Sequence, residues 1–304
     1  MKNKINTNAH LTNNKRILFI SYVPFMNYIY NCLKGNFTKF HVIQYEVWNR
    51  LGLLSKIALA RKYDYIHSFW AKNSYNDIIA CKLSNTKFIN HYIGSDVLLV
   101  SEGRKNIGNK ARYIHRNSYK TLAVSKHLID ELDLEQISKA ELFEPFYYEE
   151  SEIIKNLIVP KEKIILSYIP EGKEDFYGYD FIKTAAENLL EFRFKIIGHR
   201  GIGLERTDNI QFCGWVNDVD FYLDECFVYI RNTKHDGLPN LVLQSLLRGK
   251  HVLYPHKFPN TIDVNMDNLK NILNQNELNL KGREYIKANY SKERLLDIFN
   301  TLYK

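Results

Sequence analysis

The chain has 304 residues, 45% of them hydrophobic and 25% charged, with a formal net charge of +8 and a pI near 9.0. That length and balance suit a globular protein of two ordinary domains. Four scattered cysteines (Cys32, Cys81, Cys213, Cys226) with no C-x-x-C spacing argue against a disulfide scaffold or zinc site, and no apolar window of about 18 residues exists to span a membrane.

Residues 1–14 form a basic, Asn-rich stretch, and the apolar run after it ends early at Pro24. It is read as a flexible tail and not a signal peptide. From there strands and helices alternate, the pattern of parallel α/β sheets. In the first half, strands are expected at 16–21, 40–45, 63–67, 87–91, 120–124 and 141–143. Helices are expected there at 25–33, 50–61, 76–83 and 125–132. The alternation breaks between Pro145 and Pro160, which reads as an interdomain connection at 149–162. In the second half, strands are expected at 163–168, 192–197, 209–212, 228–230 and 251–254, and helices at 179–190, 218–225 and 239–248. The last stretch, 282–304, is amphipathic, with a helix start at Ser291-Lys292-Glu293-Arg294. Charge is uneven: residues 1–148 carry 21 Lys+Arg against 11 Asp+Glu, and 149–304 carry 21 against 23. The first half therefore suits an anionic partner (a membrane face, a phosphorylated lipid carrier or nucleic acid), though a generally basic composition explains it equally.

One stretch concentrates the chemistry. Val228 to Ile230 is an apolar strand, R-N-T-K-H-D-G-L a polar loop, and Pro239 to Arg248 an apolar-rich helix stopped by Gly249 before a second strand. Pro239 suits the first helical turn, leaving free amides facing the loop, where Gly237 lets a ligand approach the main chain. Strand, loop and helix N-terminus together place Arg231, His235, Asp236 and Gly237 at the carboxyl edge of a parallel sheet, where open α/β sheets bind ligands. Asp236 and Gln244 have seven residues between them. At ~1.5 Å rise per residue they are roughly 7–10 Å apart along the axis, enough to hold two ends of one ligand whose anionic middle rests on the helix start. An ordinary βαβ unit with a polar connector is the plain alternative.

The run D-G-L-P-N-L-V-L-Q-S-L-L-R-G-K-H-V-L resembles the signature of GT-B glycosyltransferases related to family four: Glu, seven residues, Glu, a small-residue helix, Gly, and a strand. In that family the first acid contacts the donor sugar and the second the ribose hydroxyls; here they are Asp236 and Gln244. The resemblance spans roughly residues 163–304 and is looser over 1–148, where it rests on I-G-S-D-V-L and T-L-A-V-S-K-H-L-I-D-E-L. It implies two Rossmann-like α/β domains with parallel sheets facing across a cleft: an acceptor domain at 15–148, a nucleotide-sugar domain at 163–285, and a C-terminal helix at 286–304 crossing back to the first domain.

The resemblance also assigns roles by position. The family grips the donor diphosphate with an Arg and a Lys, but here those places look like Tyr168-Ile169 and Tyr177, so the cation must come from Arg231 or, less directly, from Lys173 or Arg200. Donor-binding candidates are Lys173, Gly198, Arg200, Gly214, Trp215, Val216, His235, Gly237, Leu238, Pro239, Asn240 and Gln244. Catalytic candidates are Arg231, Asp236 and Asp96, the last as the acid nearest the family's first-domain loop. Trp215 equally suits core packing, and Asp96 equally suits a helix cap. Asp218-Val219-Asp220 matches an Asp-x-Asp metal motif, but it opens a helix and is read as a cap. No metal or other cofactor is expected. The order G-x-x-G-x-G in G-H-R-G-I-G is not a dinucleotide fingerprint. The function implied is a cytoplasmic, metal-independent, retaining glycosyltransferase, with a nucleotide-sugar donor, a cell-surface glycan or lipid-linked acceptor, and peripheral contact with anionic membrane through its basic first domain. Two alternatives stand: a DNA-modifying glycosyltransferase, and a non-catalytic module that binds a nucleotide sugar.

Overall fold

The computed structural model describes residues 14–21, 29–37, 39–69, 74–101, 105–134, 140–153 and 157–304. Most of the expected tail, and residues 25–28 of the first expected helix, lie outside the described residues. The chain divides into two compact units, Met1–Pro145 with Lys292–Lys304, and Phe146–Ser291.

The first unit holds six strands: β1 (Ile17–Ser21), β2 (Phe40–Gln44), β3 (Tyr65–Phe69), β4 (Lys87–Tyr92), β5 (Lys120–Ala123) and β6 (Glu141–Leu142). They pair in parallel in the order β2-β1-β3-β4-β5-β6. Every residue of β1 and β3 is buried. Such continuous runs are what a sheet covered on both faces requires. One face packs on the crossover helices through Leu18, Ile20, Trp48, Ile66, Ile78, Phe88 and Ile114. On the other face, Phe19, His67 and Phe143 meet Phe299 and Tyr303 of the C-terminal segment.

That second face contains a buried chain of hydrogen bonds whose protons can be ordered. His91 Nε2 lies 3.1 Å from the Phe143 carbonyl, which only accepts, so Nε2 carries the proton. Nδ1 of His91 then accepts from His67 Nε2 at 3.0 Å, and His67 Nδ1 accepts from the Tyr303 hydroxyl at 2.6 Å. Both rings are therefore neutral. Burial pushes the His91 pKa down to about 3 and that of His67 well down, with His91 adding to the effect on His67.

The second unit holds β7 (Ile164–Tyr168), β8 (Phe194–Ile197), β9 (Ile210–Gly214), β10 (Cys226–Ile230) and β11 (His251–Leu253), parallel in the order β11-β10-β7-β8-β9. Its core gathers Ile165, Ile182, Phe194, Val228, Ile230, Leu253 and Leu269. The chain runs outward from β7 to β9, then returns to build β10 and β11 on the other side. The order therefore reverses between β7 and β10, and in an open sheet the ligand crevice lies at that reversal, beyond the carboxyl ends.

All eleven expected strands are present, and several helices differ. The expected helix 50–61 is two helices, Tyr45–Arg50 and Leu53–Ala60, because Leu51 and Gly52 are extended. Helices Ser95–Ser101, Lys105–Asn117 and Met266–Leu273 were not expected. Pro239 is not the first helical residue but the N-cap, in an extended conformation before Asn240–Leu247. Among the described residues, no helix is long and apolar enough to cross a membrane.

Candidate active site

Two loops flank the reversal, one after β7 and one after β10, and several contacts bind them together. Ser167 Oγ donates to the Ile230 carbonyl at 2.9 Å, and the Lys234 amide donates to the Phe176 carbonyl at 3.0 Å. Gly178 sits at φ +69°, and a Cβ there would lie 2.5 Å from the Asn232 carbonyl oxygen. Only glycine permits both that conformation and that approach.

Arg231 leaves β10 and is almost wholly buried. Its Nε donates to Asp236 Oδ2, and its guanidinium lies 5.2 Å from the centroid of the Tyr177 ring. Burial opposes the charge, but Asp236 and the flanking tyrosines hold the Arg231 pKa well above its ordinary value. The other Asp236 oxygen accepts from the Gly237 amide at 3.0 Å, which folds the loop back toward the helix start. Arg231 and Asp236, expected at the phosphate and sugar ends of one ligand, are thus bound to each other. Thr233 closes the loop by donating to the His235 carbonyl at 2.9 Å.

The remaining donor-site candidates surround these loops. Lys173 is exposed on the loop after β7. Arg200, also exposed, donates to Glu171 at 2.7 and 3.1 Å. Gly198 and Gly214 both have positive φ, and the Gly198 amide donates to the Gly214 carbonyl at 2.7 Å. Trp215 is 79% exposed, so it does not serve the core, and Val216 is half-buried beside it. Leu238 is half-buried, Pro239 buried and Asn240 exposed at the helix start. Gln244 is half-buried, and its side-chain amide is engaged by no other described residue.

Glu174, Tyr229 and Tyr254, which the sequence does not single out, also meet here, the first of them with His199 of the loop after β8. The Gly201 amide donates to His199 Nδ1 at 2.7 Å, so Nε2 carries the proton and donates to Glu174 at 2.7 Å. Backbone amides and His199 keep Glu174 below the usual carboxylate range. Tyr229 and Tyr254 are buried in the same region and were read only as strand residues; a tyrosine inside a buried strand, whose hydroxyl must be satisfied, was the available signal.

Two further candidates act locally. Asp96, expected as the acid nearest the first-domain loop or as a helix cap, is buried, and its carboxylate accepts from the amides of Ile93, Gly94 and Val97 at 2.8–3.1 Å. It organises its own turn. Asp218 caps helix Val219–Glu225 by accepting from the Phe221 amide at 3.1 Å, while Asp220 pairs with Arg248 at 2.7 Å.

No protein-family model and no curated protein matches the sequence. Solved structures do. A glycosyltransferase from Rickettsia africae superposes with a TM-score of 0.69 at 13% identity, covering 96% of this chain and 98% of that one. HepE of Anabaena, solved in complex with UDP, gives 0.68 at 12% identity, covering 94% and 99%. Sucrose-phosphate synthase from Thermosynechococcus elongatus gives 0.66 at 12%, covering 95% and 98%. This is the GT-B fold. The α/β reading of two Rossmann-like units with parallel sheets holds across nearly the whole chain.

Proposed function

We propose that this chain is a glycosyltransferase that draws on a nucleotide-sugar donor bound at the carboxyl edge of the second sheet. The observation that carries the reading is the meeting of a buried arginine, a carboxylate and a helix start at the strand-order reversal between β7 and β10. The similarity to HepE, whose structures include complexes with UDP and UDP-glucose, supports it. In this reading Arg231, aided by Lys173 and the first amides of helix Asn240–Leu247, stabilises the charge that develops on the departing diphosphate. Asp236 takes hydroxyls of the sugar, and Gln244 those of the nucleoside. The reaction is retaining and metal-independent. The acceptor is a cell-surface glycan or lipid-linked sugar, and the basic first half contacts an anionic membrane on the cytoplasmic face. Helix Lys105–Asn117, with Lys105, Lys110, Arg112 and Arg116 and no acidic residue, supports that contact.

The test is a panel of UDP-, GDP-, ADP- and CMP-sugars scored for binding and slow hydrolysis, with and without EDTA. One donor is expected to bind and turn over in EDTA, and Arg231→Lys is expected to lower turnover, because a point charge does not reproduce a two-point grip. Absence of binding across the panel overturns the reading. Full activity in Arg231→Ala moves the role to Lys173 or Arg200. Loss in EDTA restored by manganese returns Asp218 and Asp220 to contention. Binding to anionic liposomes supports the lipid-linked acceptor, whereas salt-sensitive DNA binding supports a DNA-modifying enzyme.

A further inference from the structure

Most side-chain cations at the carboxyl edge of the second sheet are already paired. Arg231 faces Asp236, Arg200 faces Glu171 and Lys234 faces Asp175, while the neutral His199 donates to Glu174 and Lys173 is exposed. A diphosphate brings at least two further negative charges, more than the exposed Lys173 alone balances, so a paired cation is drawn to it from its acid. The exposed pairs exchange easily, since water takes up the freed carboxylate. The Arg231–Asp236 pair is different, because its side chains are only 10% and 13% exposed. A carboxylate leaving Arg231 there would keep the Gly237 amide but lose its counter-charge, at a cost unless other donors received it.

Two such donors are in place. The hydroxyls of Tyr229 and Tyr254 are buried and make no well-formed hydrogen bond among the described residues, although Arg231 lies close enough to Tyr229 to act on it. Register places them beside the pair. In β10 side chains alternate, so Tyr229 shares a face with Arg231, opposite the core residues Val228 and Ile230. β10 and β11 align Ile230 with Leu253, and the Arg231 amide donates to the Leu253 carbonyl at 3.0 Å, so the next register position sets Tyr254 against Arg231. Burial first, with Asp236 adding and Arg231 opposing, pushes both phenol pKa values up, which keeps both hydroxyls protonated and able to donate. An unpartnered buried hydroxyl is costly, and two beside one buried ion pair require a reason.

We propose that Asp236 has two berths: Arg231, as the structure shows it, and the hydroxyls of Tyr229 and Tyr254 once a donor diphosphate takes the guanidinium. The inference rests on the donor-site reading above and makes both tyrosines positioning residues. The Tyr177 ring holds the guanidinium in place while the acid moves. A carboxylate accepts from several donors at once, so Asp236 in its second berth still has lone pairs for a sugar hydroxyl.

Tyr229→Phe and Tyr254→Phe test this by separating stability from affinity. Urea unfolding of the ligand-free variants is expected to match or exceed wild type, because each loses a hydroxyl that had no partner. Titration with UDP, and separately with inorganic pyrophosphate, is expected to show roughly tenfold weaker binding for each variant, the size of one lost bond to a charged group. Reduced ligand-free stability means the hydroxyls already have partners and overturns the proposal. So does unchanged affinity for UDP and pyrophosphate in both variants, while wild-type binding leaves the donor site itself standing. A wild type that binds neither probe, nor GDP, ADP or CMP, overturns the donor site and the two berths together.

Discussion

Acidification should loosen the first unit through His91, by an amount that follows from the ordered hydrogen-bond chain. Burial lowers the pKa of His91 to about 3, against about 6.5 for a solvated histidine. Between those values the unfolded chain binds a proton that the folded chain refuses. The stability is therefore complete above pH 6.5 and is lost as the pH falls toward 3. At pH 5 the unfolded form is favoured by about 1.5 pH units, and at 1.36 kcal/mol per unit the loss is about 2 kcal/mol from this ring alone. His67, also depressed, adds in the same direction. His91→Gln is the comparison, because its amide can accept from His67 and donate to the Phe143 carbonyl without titrating. Urea unfolding at pH 7.5 and 5.0, read by hydrogen exchange in peptides covering Tyr65–Phe69 and Lys87–Tyr92, isolates the unit. The wild type should lose about 2 kcal/mol more than His91→Gln across that interval. Equal losses in the two proteins would show that the buried imidazole is not the acid-sensitive group.

Three further outcomes follow from other sites. Gly178→Ala should destabilise the second unit by about 1–3 kcal/mol and weaken nucleotide binding, since its Cβ meets Asn232 and its φ is positive; thermal melts and titration check both. Lys56→Met should cost about 3–5 kcal/mol in chemical unfolding, because it strands Asp77, which now accepts from Lys56 at 2.6 Å and Trp48 at 2.8 Å with no exposure. Gln244→Ala should weaken nucleotide binding by ~0.5–1.5 kcal/mol without changing the melting temperature, its amide having no partner among the described residues; an altered melt would give Gln244 a structural role instead.

The strands were legible in the sequence because a parallel strand buried on both faces is a bare apolar run, as in I-L-F-I-S or C-F-V-Y-I. Helix Lys105–Asn117 was not. Its K-N-I-G-N-K-A-R-Y-I-H-R-N offers few apolar anchors, chiefly Ala111 and Ile114, and Gly108 lowers its propensity. The loop after β10 announced itself through its polarity between two apolar segments. The pairing inside it did not: Arg231 and Asp236 are five residues apart in a nonhelical loop, where no period sets who meets whom. The Glu174–His199 contact joins loops after different strands, and only the strand order brings those loops together. Tyr254 became notable only once its register beside Arg231 was known, since in the sequence it merely ends an apolar run.

The ring of Tyr303 closes the aromatic face of the first sheet, 236 residues along the chain from the histidine it donates to. During synthesis, β1 to β6 leave the ribosome with Phe19, His67, Phe69, His91 and Phe143 lacking that cover. The whole of the second unit is made before Phe299 and Tyr303 emerge. The second unit can therefore complete its fold first, although it is encoded later, reversing the usual N-to-C order. Until then the nascent first unit presents a sticky aromatic sheet face, which is the kind of surface that holding chaperones recognise. Ribosome stalling or early termination just before residue 299 should release a chain with one finished unit and one aggregation-prone one.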